Sequence, residues 1–600
     1  MPQCVCAFLY TPPVSLVALA LITMAVLTAG YLLYGSFIAR QYRLDDSRLT
    51  PAHEKNDGVD FIPTRPFYLL GQHFSAIAAA GPIVGPIAAC AIFGWLPCVL
   101  WIVLGVIFIG AVHDFSALIA SVRHGAGSIA EIARRNIGPR AWVALIAFIW
   151  LALIYVIVAF TDVTAATFIG ISEEAQAVAG EFNRGGAVAA ASTMYLLLAL
   201  VMGLVQRFLP ERFRPMWLMT LIFVPATLGV VWLGTRVSTI LIFDIKVWQT
   251  AILVYCFVAS LLPLWLLQQS RGYLGGFVLY AVIGAGLAGV LFGGFAIEQP
   301  AVTDAARDGA GGLWSFFIGG PDAPPMLSLI FPFLFVTIAC GACSGFHGLV
   351  CGGTTSRQIA KESHCKSIGF GAMLLEGLVA IIALATIMII APAQSAGRSP
   401  SVVYGEGIAR FLTVFLGEDA MVFAVTFGTM AVATFVFDTL DVATRLGRYL
   451  LQELLGTRGR ISGTIAAAVT AGVPLFIIVA APSGSWRLFW TLFGTSNQLL
   501  ASLTLLGVTV WLWRSGRRFW YVLIPMVFVM TITLCALSLQ AVTGWRELRA
   551  GLWSSSSGEI NPLILNGIAA MVLFALAGVF IFETWRAIRA GRGEVETAPA

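Results

Sequence analysis

Two Gly-Pro pairs four residues apart, Gly81-Pro82 and Gly85-Pro86, lie inside an apolar run of membrane-spanning length, and this feature constrains the fold most. Glycine weakens a helix, while proline removes an amide donor and clashes with the preceding turn. In lipid each unsatisfied backbone group costs several kcal/mol. A spanning segment is therefore helical, and it breaks only inside protein or beside a water-filled cavity. The sequence predicts an irregular stretch at Ala79-Ala80-Gly81-Pro82-Ile83-Val84-Gly85-Pro86 within a helical membrane protein. Interrupted helices of this kind build solute sites in secondary transporters.

Composition supports the membrane reading. Of 600 residues, 59% are hydrophobic and 11% charged, with a mean hydropathy of +0.90, against roughly 25% charged in soluble domains. Fifteen apolar segments predict an all-α polytopic protein: 14–37, 70–90, 94–121, 140–165, 187–206, 216–235, 247–268, 274–294, 326–346, 367–393, 417–440, 462–481, 488–513, 519–540 and 561–583. The first run is too long for a signal-peptide core and lacks a basic leader, so it is read as a mature helix. With alternate connections assigned to one side, 26 of the 35 Lys and Arg residues fall on that side. The positive-inside rule makes it the cytoplasm, with the N-terminus outside and the C-terminus inside. The acidic loop with Glu173, Glu174 and Glu181 then falls outside, and residues 295–325 read as an outer loop. Ten cysteines show no disulfide-framework spacing. No Walker A loop is present, which removes support for ATP-driven pumping. The basic residues track topology rather than a nucleic-acid surface.

A second interruption is expected at Cys340-Gly341-Ala342-Cys343-Ser344-Gly345-Phe346-His347-Gly348, where small residues permit close backbone approach. The first break lies in the second span, running outward, and the other in the ninth, running inward. Five helices from each give two units of opposite topology, 70–235 and 326–513. The divisions are then an N-terminal helix and inner loop (1–69), the first repeat, two intervening helices with an outer loop (236–325), the second repeat, and two C-terminal helices with a tail (514–600). Paired breaks in inverted halves point to a midplane binding site.

Several blocks then carry a family resemblance. They are Gly71-Gln72-His73-Phe74-Ser75, Gly81 to Pro86, Gly94-Trp95-Leu96-Pro97, Gly110-Ala111-Val112-His113-Asp114, Ser344-Gly345-Phe346-His347, Thr354-Thr355-Ser356-Arg357-Gln358, Thr444-Arg445-Leu446-Gly447-Arg448-Tyr449 and Phe493-Gly494-Thr495-Ser496-Asn497-Gln498-Leu499-Leu500. Together they resemble the carbon starvation protein A family of bacterial inner-membrane transporters over most of residues 15–540. The resemblance implies import of peptides or pyruvate under starvation by proton-coupled symport. It also implies a five-plus-five, LeuT-like core related to the amino acid–polyamine–organocation superfamily.

Ionisable and polar groups inside the membrane are the candidate functional residues. Gln72, His73 and Ser75 precede the first break, and His73 suits proton coupling or an anionic substrate. Amides freed around Ala80, Gly81 and Gly85 suit a carboxylate, as helix N-termini do. Ser344, Gly345, Phe346 and His347 form the facing wall. Asn497 and Gln498 serve as cavity lining or interhelical contacts. Glu376, flanked by leucines, is the leading proton carrier, because desolvation disfavours an unpaired carboxylate. His113 and Asp114 form a relay, an inner gate or a structural anchor to the following basic loop. Asp162 is placed near the outer face among headgroups. Asp438, Asp441 and Arg445 share a helix face as an internal salt bridge or gate. Cys340, Cys343 and His347 have soft-ligand spacing but no clear fourth ligand, so no metal is assigned. No cofactor is expected; the coupling ion is H+ or, alternatively, Na+. A membrane-embedded enzyme or a sensor are the remaining function classes, and the first lacks an arranged nucleophile–base pair.

Overall fold

The computed structural model describes residues 15–58, 60–78, 80–169, 182–210, 212, 215–309, 312–313, 316, 325–457, 459–554 and 558–591. Cys4, Cys6, Ala79, the acidic loop with Glu173, Glu174 and Glu181, and outer-loop residues 310–311, 314–315 and 317–324 lie outside the described residues. In chain order the helices are α1 (Leu16–Tyr42), α2 (Pro66–Ile77), α3 (Gly81–Phe93), α4 (Trp95–Arg123), α5 (Pro139–Ile169), α6 (Arg184–Phe208), α7 (Met216–Arg236), α8 (Ile245–Leu261), α9 (Gln268–Phe292), α10 (330–337), α11 (346–355), α12 (Lys366–Met388), α13 (Pro400–Leu416), α14 (Met421–Leu454), α15 (Arg460–Ala480), α16 (Trp486–Arg514), α17 (Trp520–Arg549) and α18 (Pro562–Arg589). Among the described residues β-structure amounts to two isolated bridges. An all-helical answer follows from the apolar runs, since a helix satisfies its own backbone in lipid.

Eleven of these helices are long and apolar enough to cross a membrane, and the bent pair α2–α3 makes a twelfth if counted as one span. The chain is thus a multi-pass membrane protein. Three other expected segments take different forms. Residues 247–268 carry the 17-residue α8, 326–346 carry the interrupted α10–α11, and 488–513 carry the 29-residue α16. The polar side chains Asn497, Gln498 and several hydroxyls lower the mean hydropathy of α16.

The first break is displaced from its expected position. Residues Ala78 and Ala80 frame it, and α3 is helical from Gly81 onward with Pro82 in its first turn and Pro86 inside; α2 and α3 meet at 46°. Proline is tolerated in a first helical turn, where its missing N–H has no partner to lose. The pairs therefore start a helix more than they interrupt one. The second break spans 338–345, and helix resumes at Phe346 and continues to Thr355, nine residues beyond the expected end.

Besides short connecting helices, one long helix was absent from the sequence reading. Helix α13 lies between the expected tenth and eleventh spans. Arg184, at the start of α6, donates to Val402 O at 3.4 Å, and Arg410 donates to Ile389 O, just past α12, at 2.9 Å. Two points eight residues apart on α13 thus meet the same end of the bundle.

The core is continuous across α3–α5, α12, α14 and α16, in which most residues are buried. Wide, π-type turns flank three core helices: Val106–Gly110 in α4, Cys351–Thr355 ending α11, and Lys366–Gly371 opening α12. Such turns rotate the following side chains relative to a regular helix. Each adjoins a residue of the site described next.

Candidate functional site

The two breaks pack directly on each other. A Cβ on Gly81 would overlap the side chain of Cys340, and one on Gly85 would lie 2.7 Å from Thr337 O. Only glycine permits that approach. Asn497 of α16 then organises the second break. Its Oδ1 accepts from the Phe346 amide at 2.9 Å, and its backbone carbonyl accepts from Gly345 N at 3.0 Å. Its Nδ2 donates to Ser344 Oγ at 3.1 Å and Cys340 Sγ at 3.3 Å. A side chain from a neighbouring helix thus caps the resumed helix as a local N-cap residue would. Gln498 Nε2 donates to Phe335 O at 2.9 Å, on the other side of the same break. Both amides hold the interruption together.

Behind the breaks lies a buried acid–base cluster. Asp114 of α4 accepts from His113 Nδ1 through Oδ1 and from His347 Nδ1 through Oδ2, each at 2.8 Å. His347 Nε2 lies 3.2 Å from Glu376 Oε2 of α12. Side-chain exposure is 0–1% for all four. Both carboxyl oxygens of Asp114 are acceptors when ionised, so each histidine presents its Nδ1–H to it and leaves Nε2 for another partner. Glu376 makes no hydrogen bond to another described residue, which leaves His347 Nε2 as its close polar neighbour. Three elements meet through these contacts: α4, the helix resumed after the second break, and α12. Among the described residues no Lys or Arg ion pair enters the cluster. A proton added to or removed from it changes the charge balance that holds those elements together.

The other expected residues are distributed around this centre. His73 is 1% exposed, and its Nδ1 bonds Thr355 Oγ1 at 2.8 Å, at the far end of α11 from His347. Ser75 faces α9 near Gly276, and Gln72 points away from the breaks into an exposed position. Ala80 caps α3, its carbonyl accepting from Ile83 and Val84. Cys340 turns to Asn497 while His347 turns to Asp114, so the soft-ligand face divides between partners. Among the described residues no group of three His, Cys, Asp or Glu side chains is arranged to hold a metal ion.

Two pairings differ from expectation. Asp438 and Asp441 are bridged by Arg271 of α9, not by Arg445. Arg271 Nε donates to Asp438 Oδ1 at 2.6 Å, and its Nη1 donates to Asp441 and, at 2.5 Å, to Tyr255 OH. Arg445 instead donates to Ala259 O and Leu262 O at 2.8 and 2.7 Å, closing the C-terminus of α8. A helix C-terminus offers free carbonyls to a cation, which outcompetes a carboxylate already held by a closer guanidinium. Asp162 is likewise inside the protein, 2% exposed, accepting from Gln249 at 2.8 Å, instead of facing headgroups.

Sequence reasoning missed Arg271, whose only signal was that a single basic residue occupied a short connection. It also missed Arg123 and Glu362. Their bidentate pair, at 3.0 and 2.8 Å, joins the end of α4 to the connection before α12. In that connection the Ser363 amide donates to Asp46 at 2.9 Å and holds its carboxyl below the usual range. It is this pair, rather than His113 or Asp114, that anchors the end of α4.

Comparison with known proteins places these features in context. The family model described as "Carbon starvation protein CstA" matches residues 15–405 and 393–536. The peptide transporter CstA of Helicobacter pylori strain J99 is 32% identical over 86% of this chain and 80% of its own length. The peptide transporter CstA of Bacillus subtilis strain 168 is 31% identical over 94% and 96%. The pyruvate/proton symporter BtsT of Escherichia coli K12 is 29% identical over 94% and 90%.

Proposed function

The chain belongs to the CstA carbon starvation family, and from that premise we propose that it is a secondary active transporter importing a small carboxylate-bearing nutrient, a peptide or pyruvate, together with protons. The observation that carries this reading is the Asp114–His347–Glu376 cluster. It buries two carboxyls and an imidazole in a membrane-spanning core, and it joins the resumed half of a broken helix to two helices beside it. Ionisable groups inside a membrane-spanning core are expensive and mark ion or substrate pathways. Protonation of the cluster alters the ion pairing between α4, α11 and α12, and so links proton occupancy to the position of the second break. The junction of Gly81, Cys340, Ser344 and Asn497 is the proposed substrate locus, opened when the breaks part. His73, with Nε2 buried and without a hydrogen-bond partner, is proposed to receive the substrate carboxylate.

The wider architecture proposed is fifteen crossings with inverted units 70–235 and 326–513. The protein sits in the bacterial inner membrane with a periplasmic N-terminus and cytoplasmic C-terminus, and serves uptake during carbon starvation. Relatives named for peptide transport and for pyruvate/proton symport support the substrate class and the ion.

The test is uptake of labelled pyruvate and dipeptides into proteoliposomes under separately imposed proton and sodium gradients. Accumulation should follow the proton gradient. Flux indifferent to both gradients overturns symport, and flux driven by sodium alone replaces the ion. Glu376→Gln should abolish gradient-driven accumulation while retaining substrate counterflow; wild-type accumulation removes Glu376 as a carrier.

A further inference from the structure

The cluster has one more opening, on the side away from Glu376. His113 is fully buried, and its Nε2 has no hydrogen-bond partner. Thr504 of α16 is 1% exposed, and its Oγ1 is also without one. Both atoms face the same point beside Gly348 of α11. A Cβ built on Gly348 would lie 3.4 Å from His113 Nε2 and 3.5 Å from Thr504 Oγ1, with no closer neighbour. Two orphaned polar atoms converging on a space kept by a glycine form a small polar site, whereas a buried space without polar groups would stay dry.

We propose that His113 Nε2, Thr504 Oγ1 and the bare Cα of Gly348 hold a single buried water through which Asp114 exchanges its proton. The inference rests on the proton-coupled reading above and extends it to the route of the proton. The step balances as follows. A proton arriving on the water passes to His113 Nε2, and the ring releases its Nδ1 proton to Asp114 Oδ1 across the 2.8 Å contact. The water returns to neutral, His113 ends as the other neutral tautomer, and the Asp114 carboxylate becomes a carboxylic acid. The reverse step discharges Asp114. Thr504 is a positioning residue, holding the water against the ring. Among the described residues, the charged and titratable groups around this route are His113 and Asp114 on α4, His347 and Cys351 on α11, His73 on α2, Cys343 in the second break and, beyond His347, Glu376 on α12.

Gly348→Ala tests the site directly, because its methyl fits at ordinary contact distance and takes the place of the water. Thr504→Val removes the hydroxyl at constant shape, and Thr504→Ser restores it. In proteoliposomes of the full chain, G348A and T504V are expected to slow proton-driven uptake about tenfold, the equivalent of one net hydrogen bond. Substrate counterflow, which needs no net proton movement, should stay within about twofold of wild type by the same arithmetic, and T504S should recover proton-driven uptake. Wild-type proton-driven uptake in both G348A and T504V overturns the water route. So does an equal loss of counterflow in both with no recovery in T504S, which would mark a packing role. If Glu376→Gln is impaired while these variants are normal, only the route falls. If uptake by the unmodified chain ignores the imposed proton gradient, the underlying reading falls.

Discussion

Replacing Glu362 with alanine strands a buried guanidinium, and the size of the penalty follows from its contacts. Arg123 Nε and Nη2 donate to the two Glu362 oxygens at 3.0 and 2.8 Å, and both side chains are 2% exposed. Glu362 Oε2 also accepts from the Asp45 amide at 2.9 Å. After truncation Arg123 retains only the carbonyls of Tyr42 and Arg43, at 2.9 and 3.3 Å, and these neutral acceptors cannot balance its charge. Breaking a buried pair by removing one partner costs about 3–5 kcal/mol. Two charge-assisted hydrogen bonds of about 1.5–3 kcal/mol each give the same range. Glu362→Ala should lose that amount in equilibrium unfolding from mixed micelles. The double variant Arg123→Met with Glu362→Met removes both charges and should lie closer to wild type than Glu362→Ala, since apolar replacement of a whole buried pair is often neutral. With the single variants Arg123→Met and Glu362→Met added, the double-mutant cycle should show a coupling of roughly 2 kcal/mol or more. A loss under about 1 kcal/mol in Glu362→Ala would refute the reasoning, because that is the scale of a solvent-exposed pair. The pair also ends the helix bearing His113 and Asp114, so transport activity should fall with Glu362→Ala and recover in the double variant.

Three further outcomes are expected. Gly81→Ala should block transport by driving a methyl into Cys340, and Cys340→Gly in the same chain should restore it; a failure of rescue separates the glycine from that contact. Asn497→Ala removes the acceptor for Phe346 N and the donor to Ser344, so it should cost about 2–3 kcal/mol in the same unfolding assay, with Asn497→Asp intermediate because the acceptor survives. Arg271→Met leaves Asp438 and Asp441 adjacent and uncompensated and should lower stability by about 3–5 kcal/mol, whereas Arg445→Met should be milder because Arg445 meets only carbonyls.

Much of the helical order was legible because lipid leaves the backbone so few choices: apolar runs of sufficient length become helices, whatever their neighbours. The existence of two breaks was legible for the same reason. Their exact placement was not. Proline reads as a breaker in isolation, yet it is at home in a first turn, so Gly81-Pro82 opens α3 and the bend falls ahead of it, after Ile77. Helix α13 escaped notice because Glu406 and Arg410 broke its apolar pattern, and those residues are neutralised by each other and by Arg398 at the end of the bundle.

By itself the sequence determined that this chain is a helical membrane protein, that it is interrupted near Gly81 and near Ser344, and that it belongs with the carbon starvation proteins. The first two depend on composition along a segment and on local backbone chemistry, and the third on the ordered motif blocks that resemble the family. The tertiary structure decided the partners. Asp114 is adjacent in sequence to His113 alone, but folding brings His347 to its second oxygen and Glu376 to the far side of that ring. Asp438 and Asp441 could have paired with Arg445 one turn away, and took Arg271 from another helix instead. A buried charge pairs where opposite charge and hydrogen bonds best offset the cost of its desolvation. That choice depends on how helices cross, which spacing along a chain does not contain.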